Sequence, residues 1–493
     1  MSSIRVALAW SLVERYALIM LGLISYVVIA RLLTPAEIGL YSVTAALVGI
    51  AQVIRDFGIG NYLIQERDLS RDRLETAYGF ALAAGVVMCV VANVTAPWVA
   101  SFYGDAQLAT VLRATSLNFV VLPFCSISLG MLRRLMRFDR LLVANLLGGF
   151  IGFAVTVGLA IMDTGPVSLA WGTVSCNIAT ALCAWATLPA QARPRRPRLT
   201  QWRTIVAYGR QSTLAGVVVT AAMDVNDLVV GKVLGFAPVA MLNRAMGMMY
   251  LFHRDLLGAA RNVAFPAFAA AVRDGKPLEP MFVYTFACVT AVGWTFNGFL
   301  LLFPLETLRL LAGAQWDAAV PLVMVFGAAG MVLCLAPLTQ TVIMAAGRVD
   351  LASRADIVTS LLRVVVVSVT AVITRDLFAV AIAFFASFAI SVPVFMAFKH
   401  RAVRTDWPAL ASQLARSLAV SIGTLFAPAL VSVHAGVERL NPMPMLQFGL
   451  TVAATVVTWL FMLHLCGHPM ANDPIYRALV AKVGIRSRGA RPS

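Results

Sequence analysis

Residues 31 to 65 read RLLTPAEIGLYSVTAALVGIAQVIRDFGIGNYLIQ, and this stretch decides the fold. Thr34 can cap a helix, the proline after it suits the first helical turn, and Glu37 lies in that turn. The apolar residues that follow predict a long membrane-spanning helix over about 38–64. Arg55 and Asp56 lie within it. Because ionisable groups are costly in a hydrocarbon layer, these two residues are candidates for a functional site.

A second stretch repeats this pattern later in the chain. Residues 231 to 258 read GKVLGFAPVAMLNRAMGMMYLFHRDLLG. Lys232 takes the place of Arg31, and Arg254 lies two positions away from the place of Arg55. Internal repeats of this kind are common in membrane transporters. The repetition predicts two related halves.

The composition is that of a multi-spanning membrane protein. Hydrophobic residues make up 60% of the chain and charged residues only 13%, which excludes an ordinary soluble protein. Apolar runs long enough to cross a bilayer predict an all-α polytopic fold with about fourteen transmembrane helices. The predicted domains are an N-lobe of six spans (1–190), a basic cytoplasmic linker (191–204), a C-lobe of six spans (205–400), two further spans (401–466) and a cytoplasmic tail (467–493).

Basic residues in the loops predict the orientation of the chain. The net charge of +16 is spread over short loops, which argues against a nucleic-acid partner. Most loop lysines and arginines fall on one predicted side, so both termini are expected to face the cytoplasm. The basic run over 192–203 is expected to fix this topology and to contact anionic lipid.

Four arginines from four predicted spans share about one depth, in the cytoplasmic half of the membrane. A guanidinium group donates bidentate hydrogen bonds to phosphate oxygens and keeps its charge. A cationic collar open to the cytoplasm would suit an anionic lipid bearing a diphosphate. The candidate substrate-binding residues are Arg15, Arg55, Arg254 and Arg363.

An alternative reading is that acidic neighbours neutralise these arginines. Glu14, Asp56 and Asp255 are the candidate charge partners. Adjacent residues on a helix point about 100° apart, so each such pair is expected to form across helices. Both readings stay open at the level of the sequence.

Asp224 and Asp227 lie one turn apart on the seventh predicted span. They could bind the proton or Na⁺ that drives transport. The alternative is a polar cluster at the helix end, partnered with Lys232. Three asparagines are expected to form hydrogen bonds between helices: Asn118, Asn145 and Asn177.

The motifs of several enzyme classes are missing from the sequence. It contains no GxxxxGK[ST] phosphate loop, no HExxH and no defensible Ser/His/Asp arrangement. We therefore predict a protein that is not an enzyme, with no catalytic residues, no metal site and no cofactor beyond a coupling H⁺ or Na⁺.

Several segments resemble those of Wzx-type polysaccharide flippases, in the polysaccharide-transport branch of the multidrug/oligosaccharidyl-lipid/polysaccharide exporter superfamily. The segments are ARLLTPAEIGLYS, IRDFGIGNYLIQ, APWVASFYGDAQL, MLRRLMRF, DLVVGKVLG with MLNRAM, and NVAFPAF. Their order and spacing cover about residues 5 to 400. The resemblance implies two six-helix lobes related by a pseudo-twofold, with spans one, two, seven and eight lining a central cavity.

The same resemblance implies a function. It implies alternating access that moves an undecaprenyl-diphosphate-linked oligosaccharide across the bacterial inner membrane, for O-antigen, capsule or exopolysaccharide synthesis. Flippases of this superfamily for the peptidoglycan precursor use cavity arginines similar in kind to Arg15 and Arg55. A polysaccharide polymerase and a chain-length regulator are candidate partners. The alternatives are a drug or cation antiporter of the superfamily, a membrane-embedded polymerase or glycosyltransferase, and a scaffold subunit of an assembly complex.

Overall fold

The computed structural model describes residues 2–59, 63, 66, 70–200, 202–434, 443–473 and 476. Regular structure in this part of the chain is entirely helical. The helices are α1 (Ser2–Leu32), α2 (Pro35–Asp56), α3 (Arg71–Tyr103), α4 (Gln107–Ser116), α5 (Asn118–Arg134), α6 (Phe138–Ile161), α7 (Val167–Thr187), α8 (Trp202–Val233), α9 (Phe236–Tyr250), α10 (Leu257–Arg273), α11 (Glu279–Leu302), α12 (Pro304–Leu311), α13 (Val320–Leu333), α14 (Thr339–Ala345), α15 (Val349–Thr374), α16 (Leu377–Ala402), α17 (Trp407–His434) and α18 (Met445–Leu465).

Within the described residues, twelve helices are long and apolar enough to cross a membrane. The protein is therefore a multi-pass membrane protein. The seventh and eighth predicted spans correspond to α8 and to α9 with α10, which are not among the twelve. Both carry several charged or strongly polar side chains, which lower their hydropathy. The predicted number of fourteen spans is accordingly not confirmed.

Helix α2 begins where the sequence predicts and ends earlier. The Glu37 amide donates to Thr34 Oγ1 at 3.4 Å, and the Thr34 amide donates to Glu37 Oε2 at 2.8 Å, which forms a capping box. The helix ends at Asp56 because Phe57 has a left-handed backbone (φ 46°), as has Gly58 (φ 66°). The prediction of one unbroken helix to residue 64 is therefore wrong at Phe57, and Arg55 lies in the last turn of α2. Ile59 and Leu63 are again helical, and residues 60–62 and 64 lie outside the described part of the chain.

The chain divides into two compact units. Unit 1 comprises Met1–Met241, Leu311–Gln315 and Ala371–Arg375. Unit 2 comprises Leu242–Leu310, Trp316–Thr370 and Asp376–Ser493. The predicted lobe boundaries stay predictions.

In unit 1, α6 and α7 pack with their backbones close together because small residues line the contact. A Cβ atom added at Gly152 would lie 2.6 Å from Cys176 Cβ and 2.9 Å from the Gly172 carbonyl oxygen. At Gly158, further along α6, an added Cβ would meet nothing within 4 Å. The two glycines therefore form a matched pair on one helix.

We expect Gly152→Ala to destabilise the protein by about 1–3 kcal/mol, because the added methyl group forces the two helices apart. Gly158→Ala should leave stability unchanged or slightly raised, since alanine is the better helix former. Thermal unfolding of both purified variants in detergent measures the difference. Equal melting temperatures would show that α6 and α7 do not pack as described.

The segment after α7 is held against the start of α3. Arg198 forms ion pairs with Asp72 at 2.7 Å and with Glu75 at 3.2 Å. The Arg195 amide donates to Glu75 Oε1 at 3.3 Å. Part of the positive charge of the basic run over 192–203 is thus neutralised within unit 1.

In unit 2, a buried ion pair joins α16 to α11. The Lys399 side chain is fully buried and donates to Glu279 Oε2 and, at 3.2 Å, to Thr405 Oγ1. The other carboxylate oxygen of Glu279 accepts the Asp406 amide at 2.9 Å. One carboxylate therefore fixes the end of α16 and the turn that leads into α17.

Beyond α18, the chain returns to pack on unit 2. His468 is fully buried. Its Nδ1 accepts the Met470 amide at 3.2 Å, and its Nε2 lies 3.3 Å from Ser417 Oγ. Tyr476 donates to the Leu460 carbonyl at 2.8 Å. The predicted cytoplasmic tail (467–493) falls largely on residues outside the described part of the chain.

Burial, with a smaller contribution from the nearby Arg416 charge, lowers the pKa of His468 to about 4. The unfolded chain therefore binds a proton at higher pH, near 6.5, than the folded chain does. The contribution of neutral His468 to the free energy of unfolding should be fully present above about pH 6.5 and be lost as the pH falls toward 4. At pH 5 the loss should be about 1–2 kcal/mol. We expect the melting temperature of the intact protein to fall more between pH 7 and 5 than that of His468→Asn. Equal pH dependence would show that His468 titrates normally.

Candidate functional site

Arg55 is the most deeply buried of the four predicted substrate-binding arginines, with 2% of its surface exposed. Its Nη1 lies 3.6 Å from Asp56 Oδ1. Its Nε and Nη1 atoms are buried and have no hydrogen-bond partner among the described residues. The guanidinium group thus retains open donors in a position shielded from solvent.

The contact between Arg55 and Asp56 corrects an expectation from the sequence, which was that neighbouring charges would pair only across helices. The pair forms at the last turn of α2, and the long arginine side chain bridges the angle between the two positions. Asp56 also accepts a long hydrogen bond, 3.5 Å, from Ser126 Oγ on α5.

Glu14 and Arg15 lie next to each other on α1 but differ in their surroundings. Glu14 is half-buried, and its Oε1 accepts Asn145 Nδ2 on α6 at 2.6 Å. Arg15 is exposed. Glu14 therefore binds an amide, and its role as a charge partner or ion-coupling group stays a prediction.

The other two predicted arginines lie in unit 2. Arg254 is exposed and lies in a π-helical turn, Leu251–Leu256, between α9 and α10; such turns are frequent at functional sites. Arg363 on α15 is half-buried, with its guanidinium 4.9 Å from the Phe388 ring centroid. Its Nε has no hydrogen-bond partner in the described part of the chain. The Asp255 side chain lies outside the described residues.

Arg15 and Arg55 belong to unit 1, and Arg254 and Arg363 belong to unit 2. The convergence of all four on one cavity stays a prediction. What the structure adds is that Arg55 and Arg363 each have at least one buried guanidinium nitrogen with no hydrogen-bond partner among the described residues.

Asp224 and Asp227 lie on α8 in unit 1. An added Cβ at Gly49 on α2 would come 3.1 Å from Asp224 Oδ2, so this carboxylate lies against α2. Lys232 donates to the Phe102 carbonyl and lies over the Phe102 ring. Ion coupling at the two aspartates stays a prediction. Within the described residues, no group of three His, Cys, Asp or Glu side chains could hold a metal ion.

Unit 1 contains a cavity of about 490 Å³ that the sequence did not reveal. Apolar and polar side chains both line it, and we call it the polar cavity to distinguish it from the apolar groove of unit 2. Helices α1, α5, α6 and α7 and the end of α2 form its wall. Asn145 and Asn177, predicted only to join helices, both line it. The signal for the cavity was present as polar residues on apolar helices, but their common location depends on packing. The polar lining residues are Asp56, Ser126, Arg133, Asn145, Asn177 and Thr180.

Unit 2 contains an apolar groove of about 430 Å³ between α11 and α18. Phe296 and Phe299 line one side, and Phe448, Val452 and Trp459 line the other. The last predicted span, α18, thus forms one wall of a groove. The sequence predicted this helix only as one of two further spans after the C-lobe.

Comparisons with known proteins agree with this architecture. A family model described as polysaccharide biosynthesis protein matches residues 28–321. The chain is 22% identical over 343 residues to lipopolysaccharide biosynthesis protein WzxC of Escherichia coli (strain K12), covering 69% of this chain and 70% of that protein. It is 21% identical over 344 residues to teichuronic acid biosynthesis protein TuaB of Bacillus subtilis (strain 168), covering 70% and 71% respectively.

Among solved structures, the lipid II flippase MurJ in an inward closed conformation is similar with a TM-score of 0.73 and 13% identity, covering 96% of this chain and all of that chain. An inward-facing multidrug resistance MATE family transporter of the MOP superfamily is similar with a TM-score of 0.63 and 15% identity, covering 78% and 94%. At these identities the structures show the fold alone. The predicted all-α polytopic fold is confirmed, and it is similar to the folds of these two transporters.

Proposed function

Because the chain belongs to the polysaccharide biosynthesis protein family, we propose that it is a flippase for lipid-linked oligosaccharides. It moves undecaprenyl-diphosphate-linked repeat units across the bacterial inner membrane by alternating access, for O-antigen, capsule or exopolysaccharide synthesis. The names of the relatives WzxC and TuaB support a role in polysaccharide synthesis. It catalyses no reaction and needs no cofactor apart from a coupling H⁺ or Na⁺.

Arg55 is the observation that carries this proposal. A buried guanidinium with open donors is costly in a protein interior unless an anion completes its hydrogen bonds. A diphosphate offers several oxygens in the geometry that guanidinium binds best. Arg15, Arg254 and Arg363 are the further diphosphate ligands in this proposal, and they need not all bind at once.

The apolar groove of unit 2 suits the other end of the same substrate. Its aromatic and branched aliphatic walls match a polyprenyl chain, which has no group that could form hydrogen bonds. A drug antiporter would have no need of a groove that fits a polyprenyl chain. Membrane lipids also carry apolar chains, so in this proposal they are further ligands of the groove and compete there with the polyprenyl chain.

Both termini face the cytoplasm in this proposal, as the excess of basic residues in the loops on one predicted side supports. Asp224 and Asp227 are the candidate ion-coupling groups. A polysaccharide polymerase and a chain-length regulator are the candidate protein partners, because the product of flipping is the substrate of polymerisation.

Deleting the gene in its native host tests the proposal. We expect lipid-linked repeat units to accumulate on the cytoplasmic face of the membrane, and the intact gene to reverse this. If the protein were instead a polymerase, its deletion would leave single lipid-linked repeat units on the outer face. Accumulation on the outer face, or unchanged polymer, would contradict a flippase.

A further inference from the structure

We infer that the polar cavity of unit 1 binds the sugar portion of the lipid-linked substrate, through the amide side chains of Asn145 and Asn177. This inference rests on the proposed function and adds a place for the sugar.

The size of the cavity indicates a small organic group. Its volume of about 490 Å³ lies within the range of about 300–1,000 Å³ that is usual for small-molecule sites. A single water occupies about 30 Å³, so the cavity is much larger than a site for one bare ion needs to be.

The two amides have hydrogen-bonding capacity left over. Asn145 donates to Glu14 Oε1 at 2.6 Å, and Asn177 donates to Asn118 Oδ1 at 2.8 Å. Each bond uses one of the two N–H groups of the amide, and neither amide oxygen accepts a hydrogen bond from a described residue. Each asparagine can therefore both donate to and accept from a ligand. The bond to a neighbouring helix fixes its orientation.

The charges around the cavity favour a neutral ligand rich in hydroxyl groups. Asp56 and Arg133 both line it, so a lone cation would meet the arginine and a lone anion would meet the carboxylate. A sugar hydroxyl donates and accepts at the same time, which suits amides, a carboxylate and a guanidinium together. Leu18, Leu122 and Leu129 supply apolar surface for the C–H face of a sugar ring.

The position of the cavity matches the chemical order of the substrate. Asp56 lines the cavity and also contacts Arg55, at 3.6 Å, so the cavity begins next to the candidate diphosphate ligand. In the substrate the sugar is joined directly to the diphosphate. A diphosphate on Arg55 would therefore place the first sugar beside Asp56.

The test measures binding of two kinds of lipid to the full-length protein in nanodiscs. One probe is undecaprenyl diphosphate without sugar; the other kind carries one glucose, galactose or N-acetylglucosamine. We expect the intact protein to bind at least one sugar-bearing lipid more tightly than the sugar-free lipid. Asn145→Ala and Asn177→Ala should each lower the affinity for that sugar-bearing lipid about five- to tenfold, since each removes one or two hydrogen bonds to the sugar. The affinity for the sugar-free lipid should stay unchanged.

Asn93→Ala is the matched control. Asn93 is a half-buried amide on α3 that bonds to Ser116 Oγ at 2.9 Å and does not line the cavity. We expect it to bind all probes as the intact protein does. Two measurements separate loss of binding from loss of folding. A variant that is still folded should melt at nearly the same temperature as the intact protein, and it should keep its affinity for the sugar-free lipid.

Three results would overturn the inference while leaving the proposed function standing. In the first, the intact protein binds all the lipids with equal affinity. In the second, Asn145→Ala and Asn177→Ala lower the affinity for both kinds of lipid equally. In the third, these two variants change neither affinity. If NaCl but not choline chloride raised the melting temperature of the intact protein, and this rise were lost in Asn177→Ala, the cavity would be a cation site instead. Free monosaccharide that raises the melting temperature but does not compete with the sugar-bearing lipid would identify a separate site for soluble sugar. Failure of the intact protein to bind any of the lipids would contradict the proposed function itself.

Discussion

Replacing Arg55 with alanine is expected to reduce flipping of a polyprenyl-diphosphate sugar by about ten- to a hundredfold. Hydrogen bonds to a charged group contribute about 1.5–3 kcal/mol each, and every 1.4 kcal/mol is a factor of about ten. Arg55 is 2% exposed, and its buried Nε and Nη1 have no hydrogen-bond partner among the described residues, although Nη1 lies 3.6 Å from Asp56 Oδ1. The contribution of Arg55 to ligand binding should therefore be near the upper end of this range. The measurement is the initial rate of flipping in vesicles that contain equal amounts of each variant.

Three further variants separate phosphate binding from mere neutralisation of Asp56. Arg55→Lys keeps the charge but loses the planar fork, and we expect it to recover only part of the rate. The exchanged pair Arg55→Asp/Asp56→Arg keeps the net charge, and we expect it to stay inactive. Arg113→Ala removes an exposed arginine of α4 and should retain full activity. Full activity of the exchanged pair would mean that Arg55 serves only to neutralise its neighbour.

Replacing Lys399 with methionine is expected to destabilise the protein by about 3–5 kcal/mol, because it leaves the Glu279 carboxylate without its buried cation. The Lys399 side chain is fully buried and also lies 4.2 Å from the Phe282 ring centroid, so water cannot easily replace it. Thermal unfolding in detergent measures the loss. We expect the variant to melt well below the intact protein at the same pH and salt.

The double variant Lys399→Met/Glu279→Gln provides the control. Glutamine is neutral and can still accept the Asp406 amide, so most of the lost stability should return. A double variant that melts as low as the single variant would contradict the ion pair as the cause. Arg348→Met, which breaks an exposed pair with Asp350, should change stability by less than about 1 kcal/mol.

Local signals in the sequence predicted local structure well. The start of α2 is fixed by Thr34, Glu37 and the proline between them, and all three act within one helical turn. The end of α2 was missed because Phe57, a residue that rarely takes a left-handed backbone, turns the chain before Gly58. The all-α membrane fold was predicted from apolar runs long enough to cross a bilayer, and the two-lobe arrangement only as what the family resemblance implies.

The contacts of the candidate site could be predicted only in part. Residue chemistry singled out Glu14, but its partner Asn145 is 131 positions away and is brought to it by the packing of α6 on α1. In the same way, Lys399 and Glu279 are 120 positions apart. Such partners depend on which helix faces which, and one sequence does not contain that information in any local pattern.

The most direct measurement uses proteoliposomes that contain only this protein. Fluorescent undecaprenyl-diphosphate glycolipid is placed in one leaflet, and its appearance in the other is followed by quenching. A second set of vesicles reports uptake of a cationic dye. We expect the glycolipid to cross much faster than in protein-free vesicles, to slow about ten- to a hundredfold with Arg55→Ala, and the dye to stay outside. Movement of the dye without movement of the glycolipid, or glycolipid flipping that does not depend on Arg55, would contradict an arginine-based diphosphate site.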